Sequence, residues 1–219
     1  VWCPYQISVI AAKPRLLLQK LEQMLMRKAL FYVPLAAFLA LSLFLLSGLF
    51  SDPRDHGSAL IEKPLPAFQL PDLQQPARIV TAADLKGEVT LLNVWGLWCP
   101  TCNAELGFLT ELRQQGVRIV GLYYVQPVDA AFGDTFDIDK LRVDVQDKLA
   151  EQGDPYLFNI VDEKRSLIFD LGVTGAPETF LIDRNGVIRH HHVGDINPQN
   201  WPKIQQLYQK LLQGGTDAP

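Results

Sequence analysis

The sequence predicts an α/β domain, a central sheet flanked by helices, standing behind an N-terminal membrane-spanning helix. Three observations carry that prediction. Apolar runs with the length of buried strands alternate with segments of helical period. An uncharged run dominated by Leu, Phe and Ala fills positions 29–50. A Cys-Pro-Thr-Cys sequence, Cys99 to Cys102, sits where a strand candidate gives way to an amphipathic helix candidate.

Residues 1–28 carry Lys13, Arg15, Lys20, Arg27 and Lys28 against Glu22 alone. The apolar run that follows, Ala29 to Phe50, is long enough at about 1.5 Å per residue to cross a hydrocarbon core of roughly 30 Å. It has no polar face, and Pro34 in its first turns is tolerated in a membrane helix. Asp52, Arg54 and Asp55 beyond it are mixed in sign. The Lys/Arg excess therefore places residues 1–28 in the cytoplasm and everything after Phe50 on the outer side of a single-pass anchor. A cleaved signal peptide would have a shorter apolar core and a small-x-small cleavage site, which Ser47 to Ser51 match poorly. Residues 1–23 show no clear pattern and Met24 is a natural beginning for an anchor, so we expect residues 1–23 to be an overextended reading frame, Cys3 included.

Residues 51–66, with Pro53, Gly57, Pro64 and Pro66, read as a tether. The domain is expected over 67–213, with a tail over 214–219. Residues 1–28 hold a net charge of +4, which leaves −8 of the whole-chain −4 on the rest and argues against nucleic acid or an anionic membrane surface as partner. Ala67 to Leu70 and Arg78 to Val80 are short strand candidates, and Thr81 to Leu85 is a helical turn closed by Gly87. Val89 to Leu97 is apolar almost without alternation, as a buried strand is. The helix after it sets Cys102, Leu106, Leu109 and Leu112 on one side and ends at Gly116. Val117 to Val125 is a second buried strand, and Leu141, Val145 and Leu149 mark a helix that stops at Gly153. Tyr156 to Val161 reads as a strand and Leu167 to Leu171 as a short helix. Thr179 to Ile182 and Val187 to Val193 flank Asp183-Arg-Asn-Gly186, a hairpin signal. A closing amphipathic helix runs from Trp201 to Leu212.

Two cysteines three residues apart at a strand–helix junction suit reversible dithiol chemistry. Cys99 falls at the helix N-terminus, where unpaired N–H groups and the dipole favour a thiolate. Cys102 lies one turn on, within disulfide reach. A zinc site would need a second ligand pair, and His190, His191 and His192 lack that spacing. In a strand only His190 and His192 share a face, and Asp134, Asp137 and Asp139 lack the glycine and terminal glutamate of a calcium loop. No metal or cofactor is expected.

Strand, CxxC, helix and a later X-Pro before a hairpin strand together resemble the thioredoxin fold. The stretches Asn93-Val-Trp-Gly-Leu-Trp-Cys-Pro-Thr-Cys-Asn-Ala-Glu105 and Gly172-Val-Thr-Gly-Ala-Pro-Glu-Thr-Phe-Leu-Ile-Asp183 resemble the membrane-anchored DsbE, or CcmG, family of cytochrome c maturation over roughly Lys63 to Leu212. The resemblance implies that Cys99 is the attacking thiolate and Cys102 the resolving thiol, with Cys99 the more exposed. It implies a cis Ala176–Pro177 bond that leaves Ala176 main-chain groups free for an extended substrate. Trp98, Pro100 and Thr101 flank the pair, Trp98 as an apolar docking edge and Trp95 as core.

Thioredoxins place a buried Asp six residues before the first cysteine, where this chain has Asn93, which does not titrate. Glu105, three residues past Cys102, and Glu178, just after Pro177, occupy the family's acidic positions and become the acids expected to handle protons or tune the thiols. Each has a plainer reading, as a solvated surface acid. The stretch from Gln126 to Asp144 is longer than the family pattern. By resemblance the chain is a periplasmic thiol–disulfide oxidoreductase of the inner membrane. It would reduce the CxxCH disulfide of apocytochrome c, directly or through a CcmH-like protein, with electrons from a DsbD- or CcdA-like protein. A ResA- or TlpA-like reductase with another client, and a thioredoxin-fold docking module without redox activity, are the alternatives. Direction of electron flow is not set by sequence, because a reduction potential depends on both redox states.

Overall fold

The computed structural model describes residues 23–24, 32–46, 60–127 and 136–214. It divides into two units, Val1–Pro53 and Arg54–Pro219. In the first, residues 32–46 are helical, with Leu35, Phe38, Leu39 and Phe44 among the exposed apolar side chains. Fifteen helical residues rise about 22 Å. No helix among the described residues is long and apolar enough to cross a membrane. Both ends of the expected anchor, 29–31 and 47–50, lie outside the described residues, as do 1–22, most of the tether and 215–219.

The second unit is built on a five-stranded mixed sheet. The strands are β3 (Thr90–Trp95), β4 (Ile119–Tyr123), β5 (Asn159–Val161), β6 (Glu178–Ile182) and β7 (Ile188–Val193). Their spatial order is β5-β4-β3-β6-β7, with β3, β4 and β5 parallel and β6 and β7 antiparallel. Every residue of β3, β4 and β6 is buried, so those strands carry near-continuous apolar sequence, as central strands covered on both faces must. Strands β1 (Gln69–Pro71) and β2 (Ile79–Thr81) form a separate two-stranded sheet.

Alternation along the strands divides the core into two layers. Leu91 and Trp95 of β3 point to one face, where they meet Leu106, Leu109 and Leu112 of α1 (Pro100–Gln114), Val145 and Leu149 of α2 (Ile138–Gln152), and Ile204 and Leu211 of α4 (Trp201–Leu212). Leu92 and Val94 point to the other, against Leu167 and Ile168 of α3 (Ser166–Asp170), Leu85 and Phe180. Asp137 caps α2, its side chain accepting the Asp139 and Lys140 N–H groups, so part of the acidic run begins a helix where acids suit the dipole.

The tether ends earlier than the sequence suggests. Glu62 N–H donates to Ile188 O, Ile188 N–H to Lys63 O and Leu65 N–H to Gly186 O, and Leu65 is buried. This stretch lies along the start of β7, an edge strand whose unpaired backbone groups it satisfies. Glu62 also pairs with Arg189. Strand β5 is shorter than the expected Tyr156–Val161, although Leu157 N–H still donates to Ile119 O and Gly121 N–H to Phe158 O.

Candidate active site

Strand β3 delivers the chain to the sheet's C-terminal edge, and α1 starts there with Cys99 as its N-cap and Pro100 at the first helical position. Cys99 has extended backbone angles, and its Sγ accepts the Cys102 N–H at 3.1 Å. The proline lacks a donor that the first turn does not need. The two cysteines form a disulfide with Cα atoms 5.3 Å apart. Cys102 is 0% exposed and Cys99 only 4%, so the expected asymmetry is small. The Ala176 carbonyl oxygen covers the pair, 3.3 Å from Cys99 Sγ. The Ala176–Pro177 bond is cis. Pro100 and Thr101 are exposed.

Trp98, 37% exposed, lies beside the cysteines, its indole N–H donating to Tyr124 O and its ring edge-on to Tyr124. Trp95 is fully buried, stacked on Tyr156 and hydrogen-bonded to Asn159 Oδ1.

The two glutamates stand in different surroundings. Glu105, buried on α1, accepts Asn93 Nδ2 on Oε1 at 3.1 Å and the Ile196 N–H on Oε2 at 2.8 Å. Burial pushes its carboxyl up to about 7; the two donors oppose this and the charge of Asp195 adds to it. Glu178 accepts the Thr174 N–H, the Thr174 hydroxyl and the Gly175 N–H on Oε1, and His191 Nε2 sits 2.7 Å from Oε2. Burial pushes it up as well, but the hydrogen bonds from His191 and Thr174 outweigh burial and hold it below the usual carboxylate value. Its hydrogen bonds go to the turn that leads into Pro177.

Sequence reasoning did not find Tyr156, Thr179, Ile196 or His191. Tyr156 O–H donates to Asn93 Oδ1 at 2.7 Å, and Asn93 Nδ2 also reaches Thr179 Oγ1 at 3.0 Å. Thr179 adjoins the Pro177 motif, a signal that was there to read. His191 was legible only as part of a histidine run, and it stacks on Phe180 instead of facing His190 and His192. Among the described residues no three His, Cys, Asp or Glu side chains are grouped to hold a metal ion.

Residues 61–211 match the Redoxin family model. The thiol:disulfide interchange protein DsbE of Pseudomonas aeruginosa is 46% identical over 188 residues, covering 85% of this chain and 97% of that protein. The chain belongs to the DsbE family. The Vibrio cholerae and Escherichia coli DsbE proteins are 43% and 41% identical, over 97% and 96% of their lengths and 85% and 84% of this chain. A solved structure of a DsbE-type thiol:disulfide interchange protein from Chlorobium tepidum matches with a TM-score of 0.51 at 26% identity, covering 68% of this chain and 95% of that one. A thioredoxin from Neisseria meningitidis also gives 0.51 at 26% identity, covering 71% and 93%. The second unit is therefore a thioredoxin-like domain, and this DsbE-family chain is a thiol–disulfide oxidoreductase with Cys99 and Cys102 as its CxxC pair.

Proposed function

We propose that this chain is anchored in the inner membrane by residues 29–50, with its thioredoxin-like domain in the periplasm, and that it reduces the disulfide of apocytochrome c CxxCH motifs. The observation that carries the reading is Cys99 at a helix N-terminus against the Ala176 carbonyl, in a chain 46% identical to a DsbE protein. The anchor rests on the uncharged run and the basic residues before it.

In the reduced chain the helix N-terminus favours the Cys99 thiolate. It attacks one sulfur of the client disulfide, forming a mixed disulfide and releasing the second client sulfur as a thiolate, which takes a proton. Cys102 then loses its proton and attacks Cys99 Sγ, which frees the first client sulfur and leaves the Cys99–Cys102 disulfide. Two electrons have passed to the client, and a DsbD- or CcdA-like protein restores them. Glu105, one turn after Cys102, is the acceptor for the Cys102 proton. Ala176 offers main-chain groups to an extended client, Glu178 holds the turn that carries them, and Trp98 supplies an apolar edge.

The test is to express the full chain carrying Cys102→Ser in cells making c-type cytochromes and identify its disulfide-linked adducts. Apocytochrome c or a CcmH-like protein is expected, and Cys99→Ser in the same background abolishes the adduct. Adducts with other proteins, together with normal c-type cytochromes in a deletion strain, would assign a ResA- or TlpA-like role instead.

A further inference from the structure

Four buried polar side chains, from two strands, the segment before β5 and a helix, meet on one face of the sheet: Asn93, Thr179, Tyr156 and Glu105. Asn93 stands at the centre, with both amide N–H groups and its oxygen engaged. Its oxygen accepts from Tyr156, and its amide nitrogen donates to Glu105 and to Thr179. We propose that Tyr156 is a positioning residue for the thiol chemistry, acting through Asn93 to fix the direction of the amide and thereby the proton affinity of Glu105.

An asparagine amide is nearly symmetric in shape, so packing alone does not fix which end faces a neighbour. The Thr179 hydroxyl serves either end. Tyr156, donating to the oxygen, turns the two N–H groups towards Glu105 and Thr179. A chain of hydrogen bonds pointing one way polarises each member, so the phenol strengthens the bond that Asn93 gives to the carboxylate. Removing the phenol hydroxyl weakens that bond and frees the amide to present its oxygen to Glu105. Both effects oppose the charged carboxylate and act in the same direction.

The surroundings leave this route open. Facing Glu105 are Asn93 from β3, Tyr156 from the segment before β5, and Asp195 and the Ile196 N–H from the turn after β7, with Cys102 one turn earlier on its own helix. Asp154 acts on Tyr156, whose own ionisation is pushed far up by burial, with the Glu105 and Asp154 charges adding to it. The phenol therefore stays protonated and works as a fixed donor, never as a base. Its ring stacks on Trp95, ring centroids 5.0 Å apart, so Tyr156→Phe keeps the packing and removes only the hydroxyl.

The inference uses the reading of Glu105 as proton acceptor, and the test separates the two. The Glu105 carboxyl is titrated directly in the oxidised full chain by infrared difference spectroscopy, its band identified by loss in Glu105→Gln. Tyr156→Phe is expected to move the midpoint up by about half a pH unit or more, a roughly threefold change in proton affinity. Asn93→Ala is expected to move it at least as far, with Tyr156→Phe adding nothing further in that background. An unmoved midpoint in Tyr156→Phe, or additive shifts in the double variant, overturns the proposal. Alkylation of Cys102 in the reduced chain, with and without Glu105→Gln, is the separate arm. No difference there removes Glu105 as acceptor, while the infrared midpoint still decides the role of Tyr156.

Discussion

Glu105 and Glu178 are the same residue type, both buried and both in the motifs that flank the redox site, yet their proton affinities move in opposite directions. The sheet separates them. Thr179 faces Asn93 and Glu105 on the side covered by α1, and alternation turns its neighbour Glu178 to the other side, towards His191. Glu178 takes three hydrogen bonds from the turn before Pro177 and one contact from His191, enough to outweigh its burial. Glu105 takes two and faces Asp195, so burial wins. Burial alone does not assign an acid its job; the number of donors committed to it does. One carboxylate is held below its usual value by the turn before Pro177, and the other, pushed up to about 7, stands on α1 one turn after Cys102.

The comparison breaks most visibly at Glu178. Glu178→Ala leaves His191, Thr174 and Gly175 without their acceptor in the interior and is expected to cost about 3–5 kcal/mol in urea unfolding. Because its folded pKa is lowered from 4.5, the stability it supplies is complete above that value and is lost as pH falls through the folded one. Glu105 has the opposite sign. Between 4.5 and about 7 the folded chain keeps a proton that the unfolded chain releases, so its ionisation opposes folding increasingly with pH. The stability gap between Glu105→Gln and the parent should therefore widen by about 3 kcal/mol in favour of the variant across that window and stay flat on either side. A smaller effect sharpens the cause: Asp195→Asn removes the like charge and should lower the Glu105 midpoint by a fraction of a pH unit, seen in the same carboxyl titration.

Much of the frame was legible because it is written locally. The closing helix begins and ends where its amphipathic period does, and the Asp183–Gly186 turn supplies the hairpin, with Gly186 at φ +82° in the left-handed region that glycine favours. The CxxC helix start could be read from Pro100 and the apolar strand before it. Partnerships across the sheet could not. Asn93 lies 63 residues from Tyr156 and 86 from Thr179, and nothing in the local sequence of any of them announces the meeting. Glu105 and Glu178 both looked like acids beside the thiols, because Glu105 lies three residues past Cys102 and Glu178 just after the Pro177 that the family resemblance sets against the pair. Which face of the sheet each occupies depends on the β3–β6 register, set by Asn93 opposite Thr179 and Val94 opposite Glu178. The edge contact of residues 62–65 was missed for the same reason, since Pro64 and its charged neighbours read as linker until β7 is beside them.

The most direct test is the pH profile of Cys102 alkylation in the reduced full chain carrying Cys99→Ser, followed by peptide mass, with Glu105→Gln and Glu178→Gln compared side by side. A division of labour between the two carboxylates predicts that Glu105→Gln displaces the profile, while Glu178→Gln leaves it in place and, with Cys99 restored, slows exchange with client peptide. A Cys102 profile that moves with Glu178→Gln and not with Glu105→Gln would contradict it.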